Sequence, residues 1–120
     1  MVSVLIVDDD KFIHKVLERI IELGGHEVIG HANNGAEAVE QFVALEEKPD
    51  IILMDERMPV MKGATATIEI LEMDSNTKVL FVSADESVKP KAMEAGAVGF
   101  LTKPIRSAQL FEAIEKHTSG

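Results

Sequence analysis

The sequence predicts an α/β domain in which a parallel sheet carries helices on both of its faces. Two observations predict this class. Short apolar runs alternate with longer helical patterns along the chain, and the central run, Ile51 to Met54, is long enough for a strand buried on both faces but too short for a buried helix. Asp55 follows directly, at the carboxyl edge of the sheet, where open α/β folds bind ligands. Asp55 is therefore the first candidate for chemistry.

The first strand and helix are predicted from an apolar run and the helical repeat that follows it. Val2 to Val7 forms the strand, and Asp10 stands where a helix cap is expected. The inward face of the helix consists of Ile13, Val16, Leu17 and Ile20. Gly24 and Gly25 end the pattern.

The second strand is predicted at the edge of the sheet. Val28 to Ala32 is less apolar than the other runs and contains a glycine and a histidine, which favours an edge position. A turn at residues 33–35 leads into a helix that ends near residues 46–48, before the central strand. The inward residues of this helix are Ala38, Val39 and Phe42.

The second half of the chain repeats the alternation. A loop with Pro59 and Gly63 precedes a helix in which Ile68 and Leu71 are expected to face inward. The remaining elements are a strand at Val79 to Val82, a short helix around Lys91 to Ala95, a strand at Val98 to Leu101, and a helix with Leu110, Ile114 and His117 on one face. Pro90 falls where the fourth helix begins, so we expect that helix to be short or displaced.

Length and composition predict one domain over residues 1–120, large enough to bury a core without disulfides. The absence of cysteine excludes thiolate zinc sites and thiol catalysis. With 12 basic and 21 acidic residues the net charge is -9, which disfavours direct binding to nucleic acid. Neither a membrane-spanning run nor a signal peptide is recognisable, so a cytoplasmic protein without membrane contact is expected.

Polar residues follow four of the predicted strands. Asp8 and Asp9 come after the first strand, Asp55 after the third, Ser83 at the end of the fourth, and Lys103 after the fifth. Right-handed crossovers point all parallel strands the same way, so these side chains should meet at one edge. Three carboxylates in one place repel one another unless a cation joins them. Oxygen ligands without histidine or cysteine suit Mg²⁺.

Four motifs together resemble the receiver domain of two-component response regulators, in the single-domain form of the chemotaxis regulators. They are Asp8-Asp9, Met54 to Pro59 with Gly63 after it, Ser83-Ala84, and Lys103-Pro104. The resemblance covers the whole chain. It implies a flavodoxin-like (βα)5 doubly wound parallel sheet with strand order 2-1-3-4-5.

The resemblance also implies a chemistry for the acidic residues. Asp55 would accept a phosphoryl group from a histidine kinase or a histidine phosphotransfer protein in a phosphorelay. Asp8, Asp9, Asp55 and the backbone carbonyl of Arg57 would hold Mg²⁺, with Mn²⁺ as a substitute. Such a chain promotes its own phosphorylation and dephosphorylation and is not a turnover enzyme.

The resemblance also implies a conformational switch that responds to the phosphoryl group. Lys103, Ser83 and Ala84 would contact the phosphoryl group, and Phe100 would change exposure with it. The fourth helix, fifth strand and fifth helix would then bind a downstream protein effector. A monomer is expected, with dimerisation through that same surface as the alternative. The Lys103-Pro104 bond matches one that is cis in the family.

Other functions are weighed against this one. Asp8-x-Asp10 imitates the start of haloacid-dehalogenase-like phosphatases, but Phe12 replaces the small residue expected there. A receiver-like module acting by contact alone is a further alternative, disfavoured by the intact charge cluster. The chain ends at Gly120 after the last helix, so a stand-alone regulator is expected, and an excised receiver stays open. The four histidines show no ligand spacing and are expected in solvent or satisfied packing.

Overall fold

A computed structural model describes residues 1–119, and Gly120, the last residue of the predicted domain, lies outside the described residues. The five strands form one parallel sheet in the order β2-β1-β3-β4-β5. The strands are β1 Ser3–Val7, β2 Glu27–Ala32, β3 Ile51–Met54, β4 Val79–Ser83 and β5 Gly99–Thr102. The helices are α1 Lys11–Leu23, α2 Gly35–Ala44, α3 Gly63–Met73, α4 Lys89–Ala95 and α5 Ser107–Thr118. The predicted fold class and strand order are confirmed.

Alternate residues of the central strands build two separate cores, one on each face of the sheet. In β1, Leu5 and Val7 pack on the side of α2, α3 and α4, whereas Val4 and Ile6 pack on the side of α1 and α5. All four residues of β3 are buried, as expected for a strand covered on both faces. Burying one such aliphatic side chain contributes about 1.5–3 kcal/mol, so these layers hold the strand ends in fixed positions.

The start and the end of α1 agree with the sequence-based predictions. Asp10 caps α1 by accepting a hydrogen bond from the Phe12 amide at 2.9 Å, and α1 ends at Leu23 before the two glycines. Strand β2 lies at the edge of the sheet, as predicted. Helix α2 ends at Ala44, earlier than predicted, because the Lys48 ammonium donates to the carbonyl of Leu45 at 2.7 Å and caps its C-terminus.

The predicted inward face of α3 is wrong at Ile68, whereas Leu71, the other residue predicted to face inward, is half-buried. Ile68 is 49% exposed, whereas Thr67 and Ile70 are fully buried. Nearly every residue of this helix is apolar or small, so periodicity does not select a face, and the short Ala66 and Thr67 side chains permit close approach to the sheet. Among residues 1–119, no helix is long and apolar enough to cross a membrane.

Helix α4 begins at Lys89, two residues before the predicted start, and a 3-10 turn, Glu86–Val88, leads into it. Pro90 lies in its first turn, where a missing amide hydrogen breaks no helical hydrogen bond. The helix spans only 7 residues, so the predicted short helix is confirmed. Gly96 ends it with a positive φ of 112°.

Candidate functional site

The carboxyl ends of β1, β3, β4 and β5 bring the predicted site residues to one edge of the sheet. The Asp55 amide donates to the carbonyl of Val7 at 3.0 Å, and the Lys103 amide donates to the carbonyl of Ser83 at 2.9 Å. Each candidate side chain is thus attached to a strand that is fixed by its neighbour. The four strand ends therefore form one continuous site, as their parallel direction requires.

An acidic cluster stands at the centre of this edge. Carboxylate oxygens of Asp8, Asp9 and Asp55 all lie within 4.8 Å of one another, with Asp8 and Asp55 buried and Asp9 exposed. The Lys103 ammonium lies 2.7 Å from an oxygen of Asp8 and 3.5 Å from an oxygen of Asp55. One lysine is thus shared between two of the three carboxylates, and the cluster keeps an excess of negative charge.

The local electrostatics follow from burial and from these contacts. Burial raises the pKa of Asp55 and Asp8 raises it further, while Lys103 and the amide of Glu56 act in the opposite direction. Burial by itself lowers the pKa of Lys103, but its hydrogen bond to Asp8 and the two carboxylate charges outweigh burial, and the net pKa lies above the ordinary value. Lys103 therefore stays charged, and the raised pKa means that Asp55 ionises less readily than a free aspartate.

The donor set fits a hard divalent cation. Three carboxylates converge without a histidine or cysteine among them, and oxygen-only ligands of this kind are those that Mg²⁺ prefers. A cation would also relieve the repulsion that raises the pKa of Asp55. The sequence placed Asp8, Asp9 and Asp55 together, and the geometry is consistent with that expectation.

The loop after β3 is held tightly against Asp55. The Glu56 amide donates to an Asp55 carboxylate oxygen at 2.8 Å, which orients the side chain. A Cβ at Gly63 would stand 2.0 Å from the backbone carbonyl oxygen of Asp55, so only glycine fits there. Gly63 thus allows α3 to begin directly beside Asp55.

Glu56 joins this loop to two helices. Its buried carboxylate accepts a hydrogen bond from the Ala64 amide in the first turn of α3 at 2.7 Å. Its other oxygen lies 3.3 Å from the ammonium of Lys91 on α4. The sequence shows that Glu56 follows Asp55, but it does not predict these contacts, because Ala64 and Lys91 are distant from Glu56 in the chain.

Arg57 and Asp85 form an ion pair across the mouth of the site. Arg57 follows β3 and Asp85 follows β4, and the guanidinium of Arg57 donates to the Asp85 carboxylate. Hydrogen bonds from Ser87 and Arg57 lower the pKa of Asp85 to about 2. The Asp85 amide donates to the Ser83 hydroxyl at 3.2 Å, so the pair is linked to Ser83.

The remaining candidates lie around this centre. Ser83 is buried, Ala84 is exposed, and Phe100 is half-buried in β5 against the core on the α2, α3 and α4 side. The Lys103-Pro104 peptide bond is cis. Asp10 serves as the cap of α1, which leaves the Asp8-x-Asp10 phosphatase motif without a second carboxylate in the site.

Two histidines that seemed unrelated in the sequence are in contact behind Asp8. His14 of α1 is buried, and its Nδ1 atom lies 2.7 Å from Nδ1 of His31 in β2. Their separation in the chain, and an orientation that depends on helix rotation, hid this pair from sequence analysis. No sequence signal beyond their presence on α1 and β2 would have identified it.

Proteins of known sequence and structure resemble this chain over nearly its whole length. The model of the response regulator receiver domain family matches residues 4–115. A chemotaxis protein CheY from Thermotoga maritima is 44% identical over 115 residues, which is 94% of each chain. A chain of the crystal structure of the CheX-CheY-BeF3-Mg²⁺ complex from Borrelia burgdorferi is 33% identical, with a TM-score of 0.89 over 96% of this chain and 87% of that one. The response regulator TrrA of Thermotoga maritima, in complex with Mg²⁺-BeF, is 25% identical, with a TM-score of 0.88 over 98% and 99%.

Proposed function

The chain belongs to the response regulator receiver domain family, and on that premise we propose that Asp55 accepts a phosphoryl group from a phosphohistidine of a partner protein. The observation that carries the proposal is the placement of Asp55 at the end of a buried strand, beside Asp8 and 3.5 Å from the Lys103 ammonium. A carboxylate oxygen of Asp55 attacks the phosphorus, the phosphorus–nitrogen bond breaks, and its electron pair returns to the imidazole, which takes up a proton.

Each neighbour of Asp55 has a role in this proposal. Lys103 pairs with the incoming phosphoryl oxygens, since its ammonium already lies 3.5 Å from Asp55. The Ser83 hydroxyl and the loop at Ala84 contact the same group from the end of β4. The Glu56 amide fixes the attacking carboxylate, and its hydrogen bond at 2.8 Å supports this role.

The proposal assigns Mg²⁺ to the acidic cluster, with Mn²⁺ as a replacement. Asp8, Asp9, Asp55 and the backbone carbonyl of Arg57 would hold the ion. The bound ion would supply positive charge that neutralises the phosphoryl oxygens during transfer. Two similar proteins were crystallised with Mg²⁺ and a beryllium fluoride, which supports this assignment.

Phosphorylation would change the surface formed by α4, β5 and α5. Adding negative charge beside Lys103 and Ser83 draws the loop after β4 toward Asp55, and Phe100 in β5 would follow.

The donor of the phosphoryl group would be a histidine kinase or a histidine phosphotransfer protein. The altered surface would bind a downstream protein effector. Residues 1–120 would form one receiver domain in the cytoplasm, and this domain would contact neither membrane nor nucleic acid. It would be a monomer, unless the altered surface binds a second copy of the chain. The chain would be a phosphoacceptor and not a turnover enzyme.

Intact-protein mass spectrometry after incubation with acetyl phosphate tests the proposal. We expect one labile phosphoryl adduct on the wild type that requires Mg²⁺ and is absent from Asp55→Asn. Asp74→Asn is the matched control, because Asp74 ends α3 outside the site and its loss should leave the adduct intact. The same wild-type protein should bind Mg²⁺ in calorimetry.

Two results would redirect the proposal. An adduct that survives Asp55→Asn but disappears in Asp8→Asn would favour a phosphatase-like nucleophile at Asp8. A wild type that forms no adduct with metal present would favour a module that acts by contact alone.

A further inference from the structure

A hydrogen-bonded chain of side chains runs from the protein surface to the backbone of Asp8. His14 Nε2 lies 2.7 Å from the carbonyl oxygen of Asp8, and His14 Nδ1 lies 2.7 Å from His31 Nδ1. His31 Nε2 in turn lies 2.8 Å from a carboxylate oxygen of Glu18 on α1. His14 is only 7% exposed, whereas His31 and Glu18 reach solvent.

The two ends of this chain fix two of its protons. A carbonyl oxygen only accepts, so His14 carries a proton on Nε2 and donates it to Asp8. The Glu18 carboxylate also only accepts, so His31 donates through its Nε2. A third proton joins the two Nδ1 atoms, and whichever histidine donates it, His14 still donates to the Asp8 carbonyl.

The carbonyl held by His14 belongs to the peptide unit between Asp8 and Asp9. This unit is planar, so fixing the carbonyl oxygen of Asp8 also fixes the direction in which the Asp9 backbone leaves. Asp8 is otherwise held at its carboxylate by Lys103 at 2.7 Å and by the Asp10 amide at 2.9 Å, and its own amide donates to the Ala32 carbonyl at 3.1 Å. His14 is the side chain that secures the backbone between the two acids.

We propose that His14 is a positioning residue for the acidic site: its Nε2-H bond to the Asp8 carbonyl sets the peptide orientation that places Asp8 and Asp9 for Mg²⁺. The contact of His31 with His14, and that of Glu18 with His31, hold the His14 ring in the orientation that makes this bond. The inference rests on the proposed function, since it concerns the affinity of the same acidic cluster for the ion. Changes of comparable groups behind metal ligands weaken metal binding about 10–100-fold.

Two substitutions of similar size separate this role from packing. In His14→Gln the amide nitrogen replaces Nε2 and still donates to the Asp8 carbonyl, whereas His14→Met fills the space without a donor. We expect His14→Met to weaken Mg²⁺ binding about tenfold or more, and His14→Gln to stay within about twofold of the wild type. Dissociation constants are measured by calorimetry at one fixed pH, with thermal unfolding in EDTA alongside.

A packing role alone predicts a different result. Both variants would then change the unfolding temperature in EDTA while binding Mg²⁺ as tightly as the wild type, and the inference would be overturned. Equal weakening in both variants would also overturn it, because the donor would not be what matters.

The Nε2 proton of His14 is tested directly on the wild type by long-range proton–nitrogen NMR of the histidine rings. We expect a proton on Nε2 of His14, the atom that donates to the Asp8 carbonyl. An Nε2 atom of His14 that carries no proton would overturn the inference, and this measurement needs only the wild type, so it is decisive even if His14→Met does not fold. A wild type that binds no Mg²⁺ and forms no adduct refutes the proposed function instead.

Discussion

At the scale of single residues, Lys103 determines the charge state of the site. Its ammonium is shared between Asp8 and Asp55, so it offsets part of the repulsion while leaving one carboxylate oxygen of Asp55 paired with the Glu56 amide. Asp55 is buried and its pKa is raised, which is the opposite of what a surface aspartate shows. Because one lysine does not neutralise all three carboxylates, the acidic cluster favours binding of a cation.

Arg57 is expected to prolong the life of the phosphorylated state. Its ion pair with Asp85 connects the loops that follow β3 and β4. We expect this pair to restrict the approach of water to a phosphoryl group on Asp55. Arg57→Ala should speed loss of the phosphoryl group by about twofold to fivefold. The measurement is the decay of the adduct by intact mass after removal of the donor.

Asp85→Ala is the partner variant and should act in the same direction, since it breaks the same pair. Arg57→Lys should lie between wild type and Arg57→Ala. Identical decay of wild type and Arg57→Ala would remove Arg57 from this role.

At the scale of elements, the junction between β3 and α3 depends on Glu56. Its carboxylate caps α3 where Lys62, the residue before the helix, makes no side-chain capping bond. The same carboxylate faces Lys91 on α4, so one buried acid connects the neighbourhood of Asp55 with two helices. This contact attaches α4 directly to the loop that follows Asp55.

Glu56→Ala should lower the free energy of unfolding by about 1–2 kcal/mol, because the Ala64 amide loses its acceptor. Glu56→Gln retains an acceptor oxygen and should lose less. Lys91→Ala removes only a solvent-screened partner and should change stability by less than about 0.5 kcal/mol. Urea denaturation of the three variants checks this order, and a larger loss in Lys91→Ala than in Glu56→Ala would contradict it.

Gly63→Ala should destabilise the protein by about 3 kcal/mol, because the new Cβ would collide with the backbone of Asp55 and neither backbone segment is free to move. Gly25→Ala is the matched control. At Gly25 nothing lies within 4 Å of a Cβ, and the positive φ of 81° is the only obstacle. We expect that control to cost about 1 kcal/mol in thermal or urea unfolding. Equal losses at both positions would show that the close approach to Asp55 is not limiting.

At the scale of the whole molecule, the charge of Asp55 makes the stability of the fold depend on pH. The folded state raises the pKa of this carboxyl above its ordinary value of 3.8, so the folded protein binds the proton more readily than the unfolded chain. The penalty is absent below about 3.8 and fully present above the folded-state pKa. At neutral pH the ionised Asp55 therefore destabilises the metal-free fold.

Asp55→Asn should consequently raise the stability of the metal-free protein at pH 7 by about 1 kcal/mol, or about 3–6 °C in Tm. The gain should shrink as the pH falls toward 4, where the wild-type carboxyl takes up its proton. Thermal unfolding in EDTA at both pH values measures it. A variant that is less stable than wild type at pH 7, or a gain independent of pH, would contradict the prediction.

Sequence alone determined the fold class, the strand order through its family resemblance, the edge position of β2 and the residues that meet at the site. It could do so because Asp8, Asp55, Ser83 and Lys103 are fixed by strand ends, and the parallel direction of the strands brings those ends together whatever the side chains between them. The cap at Asp10 could also be predicted, because it involves only the Phe12 amide two residues further along the chain.

Only the tertiary structure decided contacts that depend on how helices rotate and how far side chains reach. Two features of the helices are of this kind, namely the exposure of Ile68 and the early start of α4. So are three side-chain contacts, which join Glu56 with Lys91, Arg57 with Asp85, and His14 with His31. Residues that meet across separate elements leave no periodic signal in either element, because periodicity reports only which face is buried. Packing of the two cores on the sheet sets the helix rotations, and those rotations decide which side chains meet.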